Sequence, residues 1–274
     1  MGPTTRRMKL TDYLERIHFK GTPRVDLATL RALHIAHQHT VPFENLDVQL
    51  QRPVGLDVRA HYEKIVHRRR GGWCYELNSV MGWALSQIGF DVTRLSAGVH
   101  RGQRGDGQLG NHLCLLVQLQ EPWLVDVGFG GSLAEPLPLR VTERRDDPYR
   151  LGLSRTPDGY WRFTELAHGD PFTFDFRVLP ADETLLELKC RSLQTDPTSS
   201  FVQNLVVQRR TANTHISLRG RVLAAISSSG VERRLLGSSE ELVSTLRAMF
   251  SLDLPEAATL WPAIWARHEQ LFGG

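Results

Sequence analysis

The sequence predicts an α+β protein built from three successive regions, which are distinguished by the spacing of their apolar residues. Up to about residue 90 apolar residues recur every three or four positions, which is the period of a helix. From Asp91 they alternate, as in half-buried strands, and beyond about residue 200 both patterns occur. We therefore expect helices in 1–90, a sheet in 91–200 and a mixed α/β region in 201–274.

Four helices are predicted in the first region. One surrounds a cap at Asp12, one follows Asp26, one covers 57–69, and the strongest begins at Cys74 and stops at Gly89. The apolar stripe of this last helix consists of Leu77, Val80, Met81, Ala84, Leu85 and Ile88.

Strands are predicted in the second region at 92–99, 113–119 and 123–127, with further short strands to about 188. The intervening 101–111 segment is rich in Gly, Gln and Arg, so we expect an exposed, mobile loop there. In the third region the predicted strands are 205–207, 216–218 and 222–226. A helix capped by Ser238 and a last helix at 262–272 follow.

Composition restricts the class of protein. Of the 274 residues, 41% are hydrophobic and 23% charged, which is typical of a globular chain, and no apolar run is long enough to span a membrane. Three cysteines do not suggest a disulfide framework, so we expect a cytoplasmic protein. The net charge of +3 comes with short arginine clusters, which do not favour nucleic-acid binding. A metal site is not expected either, because His34, His37 and His39 have no cysteine partner nearby.

Cys74 is the candidate nucleophile. It stands where the glycine-rich turn Arg70-Gly71-Gly72-Trp73 enters the strongest predicted helix. The first turn of a helix presents free N–H groups and a positive potential, which stabilise a thiolate and can bind an oxyanion. Taken alone, an isolated cysteine is more often a small buried core residue than a nucleophile.

His112 and Asp126 are the candidate partners of Cys74. His112 opens one apolar strand and Asp126 interrupts the next, where an unpaired carboxylate would be unfavourable. If the two strands are antiparallel neighbours, the residues lie at adjacent ends. His112 would then be the general base and Asp126 would fix its tautomer. The chain has eleven histidines, so an accidental pairing stays open on this evidence.

Three segments of the sequence have the form of known motifs: RGGWCYELN at 70–78, VPFENLDV at 41–48 and VDVGFGG at 125–131. They resemble, in that order, the cysteine motif, the PFEN segment and the aspartate and glycine segment of the arylamine N-acetyltransferase family. His112 follows Cys74 by 38 residues, the expected spacing, and SSFVQNLVVQ at 199–208 resembles the entry to the family's third domain. The similarity runs from about residue 10 to at least 225.

The resemblance implies a helical bundle at 1–90, a β-barrel at 91–200 and an α/β lid at 201–274, around a cysteine-protease-like catalytic core. It implies Cys74, His112 and Asp126 as a catalytic triad. It also implies two sets of binding residues: an acceptor pocket lined by Phe129, Phe201, Tyr75 and Val99, and backbone close to the acyl carrier at Gly128, Gly130 and Gly131.

The activity implied is transfer of acetyl from acetyl-CoA to the nitrogen of an arylamine or arylhydrazine, by a ping-pong mechanism through a Cys74 thioester. Acetyl-CoA would be a cosubstrate, with no tightly bound cofactor and no metal, in a monomer or homodimer without nucleic-acid or membrane partners. A thiol protease or a transglutaminase-like acyltransferase would use the same triad and stays an alternative.

Two further positions carry expectations. Arg70 with Glu44 and Asn45 is predicted to clamp the first helical region to the cysteine turn. Asn111 departs from the family pattern, since many members have a small hydroxyl residue immediately before the histidine. We therefore expect a different acceptor preference.

Overall fold

The computed structural model describes residues 7–167 and 171–273. The helices in these residues are α1 Leu10–Arg16, α2 Leu27–Thr40, α3 Leu46–Gln49, α4 Val58–Tyr62, α5 Cys74–Ile88, α6 Arg101–Arg104, α7 Glu183–Thr195, α8 Ser200–Gln203, α9 Ser239–Phe250 and α10 Trp261–Phe272. A π-helical turn, Glu63–His67, extends α4, and 3₁₀ turns cover Asp106–Gln108 and Pro255–Leu260. None of the described helices has the length and apolar character needed to cross a membrane.

The strands in the same residues are β1 Phe43–Glu44, β2 Asp91–Val99, β3 His112–Gln118, β4 Pro122–Val125, β5 Leu137–Pro138, β6 Thr142–Asp146, β7 Tyr149–Arg155, β8 Trp161–Leu166, β9 Phe172–Phe176, β10 Val206–Arg210, β11 His215–Arg219, β12 Val222–Ser227 and β13 Gly230–Leu235. The fold is α+β, as the sequence predicts.

Helix α5 is the central element of the helical region. Its buried face packs against Tyr13 of α1 and Leu33 of α2, and Leu113 and Leu115 of β3 join the same core. Gly89 ends the helix in a left-handed conformation, as predicted, with φ of 108°. Because α5 touches both the helices and β3, residues at its start lie beside the ends of the strands.

The larger sheet is antiparallel throughout, with strand order β5-β4-β3-β2-β9-β8-β7-β6. Strands β5 and β6 are its edges in the described residues, so the predicted barrel takes the form of a curled half-barrel. Alternate side chains of β3 enter two cores: Leu113 and Leu115 face α5, whereas Cys114 and Leu116 face the interior of the half-barrel.

The smaller sheet has the order β1-β10-β11-β12-β13. Its first strand, β1, comes from the predicted helical region, because Glu44 pairs with Val207. A third core joins this sheet to α9 and the last helices through residues such as Leu218 and Phe250. Ser238 caps α9 by accepting from the Glu241 N–H, as expected from the sequence.

Several local predictions are wrong. Lys9 and not Asp12 is the cap of α1, so Asp12 lies inside the first turn. The series of short strands predicted up to about residue 188 ends earlier, because residues from 183 onward belong to α7, which is capped by Asp182. The predicted 101–111 loop is exposed over residues 102–107, as expected, but it contains two short helical turns, and the buried Arg101 guanidinium ties it to Asp106, Asp158 and Asp175. Strand β13 was not predicted.

Candidate active site

Cys74 is the first residue of α5 and is 6% exposed. The turn before it is held by Glu76, whose Oε2 accepts the backbone N–H of Trp73 at 3.2 Å. This contact aligns the start of the helix, where the N–H groups of the first residues lack the i−4 carbonyl partner of the helix interior. A helix N-terminus can stabilise a thiolate, so Cys74 occupies a position suited to a nucleophile although it lies within the core.

His112 and Asp126 meet because β3 and β4 pair antiparallel, with Leu115 opposite Val125. His112 is the first residue of β3, and Asp126 directly follows β4. The distance between His112 Nε2 and Asp126 Oδ2 is 2.6 Å, and both side chains are almost fully buried. This contact leaves Nδ1 of His112 for the Cys74 sulfur. The structure therefore brings the three predicted residues together.

The pKa of His112 reflects two opposing effects. Burial lowers this pKa, but the Asp126 carboxylate and a hydrogen bond with the Cys74 side chain raise it by more than burial lowers it. The resulting pKa is about 10. At neutral pH His112 is therefore a cation beside a sulfur. A protonated histidine beside a sulfur is the pairing that nucleophilic catalysis by a cysteine uses.

Asp126 is held by Gly128 and by Asn78, a residue that the sequence alone did not single out. Its Oδ1 accepts from Asn78 Nδ2 and from the Gly128 N–H, both at 2.8 Å. Asn78 also donates to Leu113 O at 2.7 Å and accepts from the Val127 N–H at 2.9 Å. One side chain, four residues after Cys74 on the same helix, thus connects α5 to both strands. That i,i+4 spacing is the signal that could have identified it.

His34 supports Asp126 from the opposite side. Its Nε2 accepts the Asp126 N–H at 3.4 Å and its Nδ1 donates to Ala134 O at 2.9 Å, so the ring is neutral. Burial lowers the pKa of His34 to about 4, despite the nearby carboxylate. No sequence pattern links this α2 residue to the strands.

A buried ion cluster lies on the other side of the cysteine turn. Arg70 donates from Nε and Nη2 to Glu44 Oε1 at 3.0 and 2.7 Å, which forms the predicted clamp. Lys64 joins it, with Nζ 2.9 Å from Glu76 Oε1 and 2.7 Å from Asp47 Oδ2. We call these five residues the ion cluster.

Asn45 is not part of this clamp, contrary to the prediction. Its Nδ2 donates to Phe201 O and Asn204 O at 2.8 and 2.9 Å, and its Oδ1 accepts the Val206 N–H at 2.8 Å. It therefore connects the first region to the segment that carries Phe201.

The four residues assigned to an acceptor pocket occupy different surroundings. The Phe129 ring lies 5.2 Å from that of His112, and the Phe201 ring lies 5.6 Å from that of Trp73. Val99, at the end of β2, is half-buried. Tyr75 is fully buried, and its hydroxyl donates to Gly110 O at 2.7 Å. Tyr75 thus holds the backbone at Gly110, two residues before His112.

The glycines after Asp126 have close neighbours within the protein. A Cβ on Gly128 would lie 2.6 Å from Cys74 Cα, so only glycine lets this strand approach the start of α5. Gly130 and Gly131 have φ of 82° and 99°, the left-handed region that favours glycine. These contacts account for the glycines independently of any ligand.

The other two cysteines are buried away from a base. Burial raises the pKa of Cys114 within β3 and raises that of Cys190 on α7 to about 12. Among the described residues, no group of three or more His, Cys, Asp and Glu side chains is arranged to hold a metal ion.

Comparison with known proteins identifies the family. The profile of the N-acetyltransferase family matches residues 26–259. The arylamine N-acetyltransferase of Mycolicibacterium smegmatis is 36% identical over 261 residues, which cover 92% of this chain and 94% of that protein. This chain belongs to the arylamine N-acetyltransferase family. It is therefore an acyltransferase by family.

Other arylamine N-acetyltransferases extend the match. The protein of Escherichia coli strain K12 is 31% identical, with 90% of each chain covered. The structure of the Mycobacterium marinum arylamine N-acetyltransferase has a TM-score of 0.85 at 31% identity and covers 96% of this chain and 99% of that one. A second structure of that enzyme, in complex with CoA, matches equally well.

Proposed function

We propose that this protein transfers acetyl from acetyl-CoA to the nitrogen of an arylamine or arylhydrazine, through a thioester on Cys74. The observation that carries the proposal is the buried contact of 2.6 Å between His112 and Asp126, beside a cysteine at a helix start. Membership of the family favours this reaction over a thiol protease or transglutaminase, which would use the same three residues.

In the first half-reaction Cys74 acts as a thiolate. Its sulfur attacks the thioester carbonyl of acetyl-CoA, and the N–H groups at the start of α5 are placed to stabilise the oxyanion. As the tetrahedral intermediate collapses, the carbon–sulfur bond to CoA breaks and His112 donates its proton to the departing sulfur. Acetyl-Cys74 and a neutral His112 remain.

In the second half-reaction His112 acts as a base. The amine nitrogen attacks the acetyl carbonyl of acetyl-Cys74 and loses its proton to His112 Nδ1. The bond between carbon and the Cys74 sulfur then breaks, which releases the amide and restores the thiolate and imidazolium. Asp126 holds Nε2 throughout, so Nδ1 stays directed at the reacting atoms.

The binding residues belong to the same proposal. Phe129 beside His112 and Phe201 beside Trp73 offer ring faces for a flat amine, with Val99 as an aliphatic wall. The CoA complex of the Mycobacterium marinum enzyme supports acetyl-CoA as the cosubstrate. Backbone at Gly128, Gly130 and Gly131, which directly follows Asp126, would lie along the acyl carrier.

We also propose the coarser organisation that goes with this mechanism. The helical region 1–90 supplies the nucleophile, the half-barrel region 91–200 supplies His112 and Asp126, and 201–274 covers the site as a lid, around a core of cysteine-protease type. The three unpaired cysteines are consistent with a reducing, cytoplasmic location.

Intact-mass measurement tests the proposal. Mixing with acetyl-CoA, without amine, should add one acetyl group to the parent and to Cys190→Ala, but none to Cys74→Ala. Amine acetylation should be lost only in Cys74→Ala. Undiminished amine acetylation by Cys74→Ala would show that the reaction does not pass through this thioester.

A further inference from the structure

The end of β2 is held by a side chain where its backbone pairing stops. The last pair between β2 and β3 is Ala97 with His112. Beyond it, Asn111 Oδ1 accepts the Val99 N–H at 2.7 Å, and Asn111 Nδ2 donates to Val99 O at 3.3 Å. One side-chain amide therefore occupies both backbone groups of Val99, as a further pair of strand residues would.

On the side away from Asn111, Val99 lies next to strand β9, whose aromatic side chains stand close to the active site. Val99 pairs with Phe174 of β9. The Phe174 ring lies 4.9 Å from that of His112 and 4.8 Å from that of Phe129. Val99 is thus fixed between the Asn111 amide and the strand that carries rings next to the reacting groups.

Asn111 is itself held in place. Its Nδ2 donates to Gln108 Oε1 at 3.0 Å, and its backbone N–H donates to Gln108 O at 3.1 Å. The neighbouring Gly110 carbonyl accepts the Tyr75 hydroxyl, which ties this chain to α5. Because Asn111 is itself held, its hydrogen bonds to Val99 fix the position of the Val99 backbone.

We propose that Asn111 is a positioning residue that sets acceptor preference by fixing the Val99 wall of the amine pocket. This inference rests on the proposed function, because it concerns the amine of the second half-reaction. A serine hydroxyl can both donate and accept, but its side chain is shorter and offers one polar atom in place of two, so it cannot reproduce both amide contacts with Val99. A Val99 N–H or C=O that loses its contact with Asn111 would bind water instead. The Val99 backbone would then be less firmly held, and the amine pocket could widen at this side.

Asn111→Ser and Asn111→Ala test this, with Asn213→Ala, in the exposed turn after β10, as a matched control. The ratio of KM values for a monocyclic and a bicyclic arylamine should shift about three- to tenfold in favour of the bicyclic amine, the effect of one or two lost hydrogen bonds. The rate at which acetyl-CoA acetylates Cys74 should stay within about twofold of the parent, and the pH profile of Cys74 alkylation should not change.

Amide hydrogen exchange at Val99 provides a readout independent of activity. Exchange should accelerate about tenfold in Asn111→Ala and remain parental in Asn213→Ala. Unchanged exchange with an unchanged KM ratio would overturn the proposal. So would an equal loss in both half-reactions with altered Cys74 alkylation, because Asn111 would then act on His112. If the parent forms no acetyl-Cys74, the proposed function fails, and exchange at Val99 alone decides whether Asn111 fixes the strand.

Discussion

The active site and the ion cluster bury charge on opposite sides of the same cysteine turn, and they differ in what surrounds each charge. In the ion cluster Lys64 and Arg70 share Glu44 and Asp47, and Lys64 also pairs with Glu76. In the active site one carboxylate, Asp126, faces one histidine, whose second nitrogen is free to exchange a proton with the sulfur.

Buried charge has a structural role in the ion cluster and a chemical role in the active site. Burial lowers the pKa of Lys64, but the three carboxylates around it raise that pKa above its usual value, so its proton stays in place. His112 is a weaker base held by one carboxylate, and its pKa of about 10 still allows proton transfer during a reaction. The first arrangement fixes the turn and the second performs chemistry.

Removing the charge of Asp126 should have the largest effect. Asp126→Asn keeps the shape of the side chain but no longer stabilises the imidazolium, so acetyl transfer should fall about 10³- to 10⁴-fold. Steady-state kinetics with acetyl-CoA and an arylamine measure this. Thermal unfolding checks that the variant is folded, and a loss of less than about tenfold in a folded variant would assign Asp126 a structural role.

Breaking the ion cluster should affect stability instead of chemistry. Lys64→Met leaves Glu76 without its cation and Glu44 and Asp47 with Arg70 alone, so the free energy of unfolding should fall by about 3–5 kcal/mol. The exposed Lys20→Met serves as a control and should change it by less than about 0.5 kcal/mol. Urea unfolding gives both values. If the folded Lys64→Met protein has the parental stability, the cluster does not hold the turn.

Histidines buried without a facing carboxylate sharpen the contrast. Burial lowers the pKa of His61 to about 4 and of His37 to about 3, so both are neutral in the folded protein at neutral pH. The unfolded chain binds these protons near pH 6.5. The contribution of these histidines to the free energy of unfolding is therefore fully present above pH 6.5. It is lost as the pH falls toward 4, because the unfolded chain then binds protons that the folded protein does not.

His61→Gln removes one such group. Between pH 6 and pH 5 the slope of the unfolding free energy against pH should decrease by about 1.2 kcal/mol per pH unit, because the unfolded chain binds most of a proton at His61 that the folded protein does not. Urea unfolding at several pH values gives the slopes. An identical slope in His61→Gln would mean that His61 is already protonated in the folded protein.

The parts of the fold that were predicted have strong local signals. The double glycine before Cys74 and the apolar stripe after it define the start of α5, and alternation defines β3. Helix α7 was missed because only Leu186 and Cys190 of its 13 residues are buried, which leaves a stripe too narrow to recognise. The 101–111 segment is anchored by the charge of Arg101, which an apolar pattern does not reveal.

The candidate site was predicted for residues that alternate or stand at an element boundary. His112 and Asp126 were found because strand pairing places the ends of consecutive strands together. His34 on α2 could not be found in this way, since its contact with Asp126 spans 92 residues and depends on how the helices pack against β4. Asn45 was assigned to the wrong partner for the same reason.

The pH dependence of Cys74 alkylation tests the account most directly. In the proposed mechanism Asp126 keeps His112 protonated, and this cation maintains the Cys74 thiolate. Iodoacetamide should therefore label Cys74 rapidly in mildly acidic buffer, with Cys114 and Cys190 spared as internal controls in the same mass spectrum. In folded Asp126→Asn the acid-side labelling of Cys74 should disappear. A folded Asp126→Asn protein with the parental pH profile, or labelling of Cys114 or Cys190 ahead of Cys74, would contradict the account.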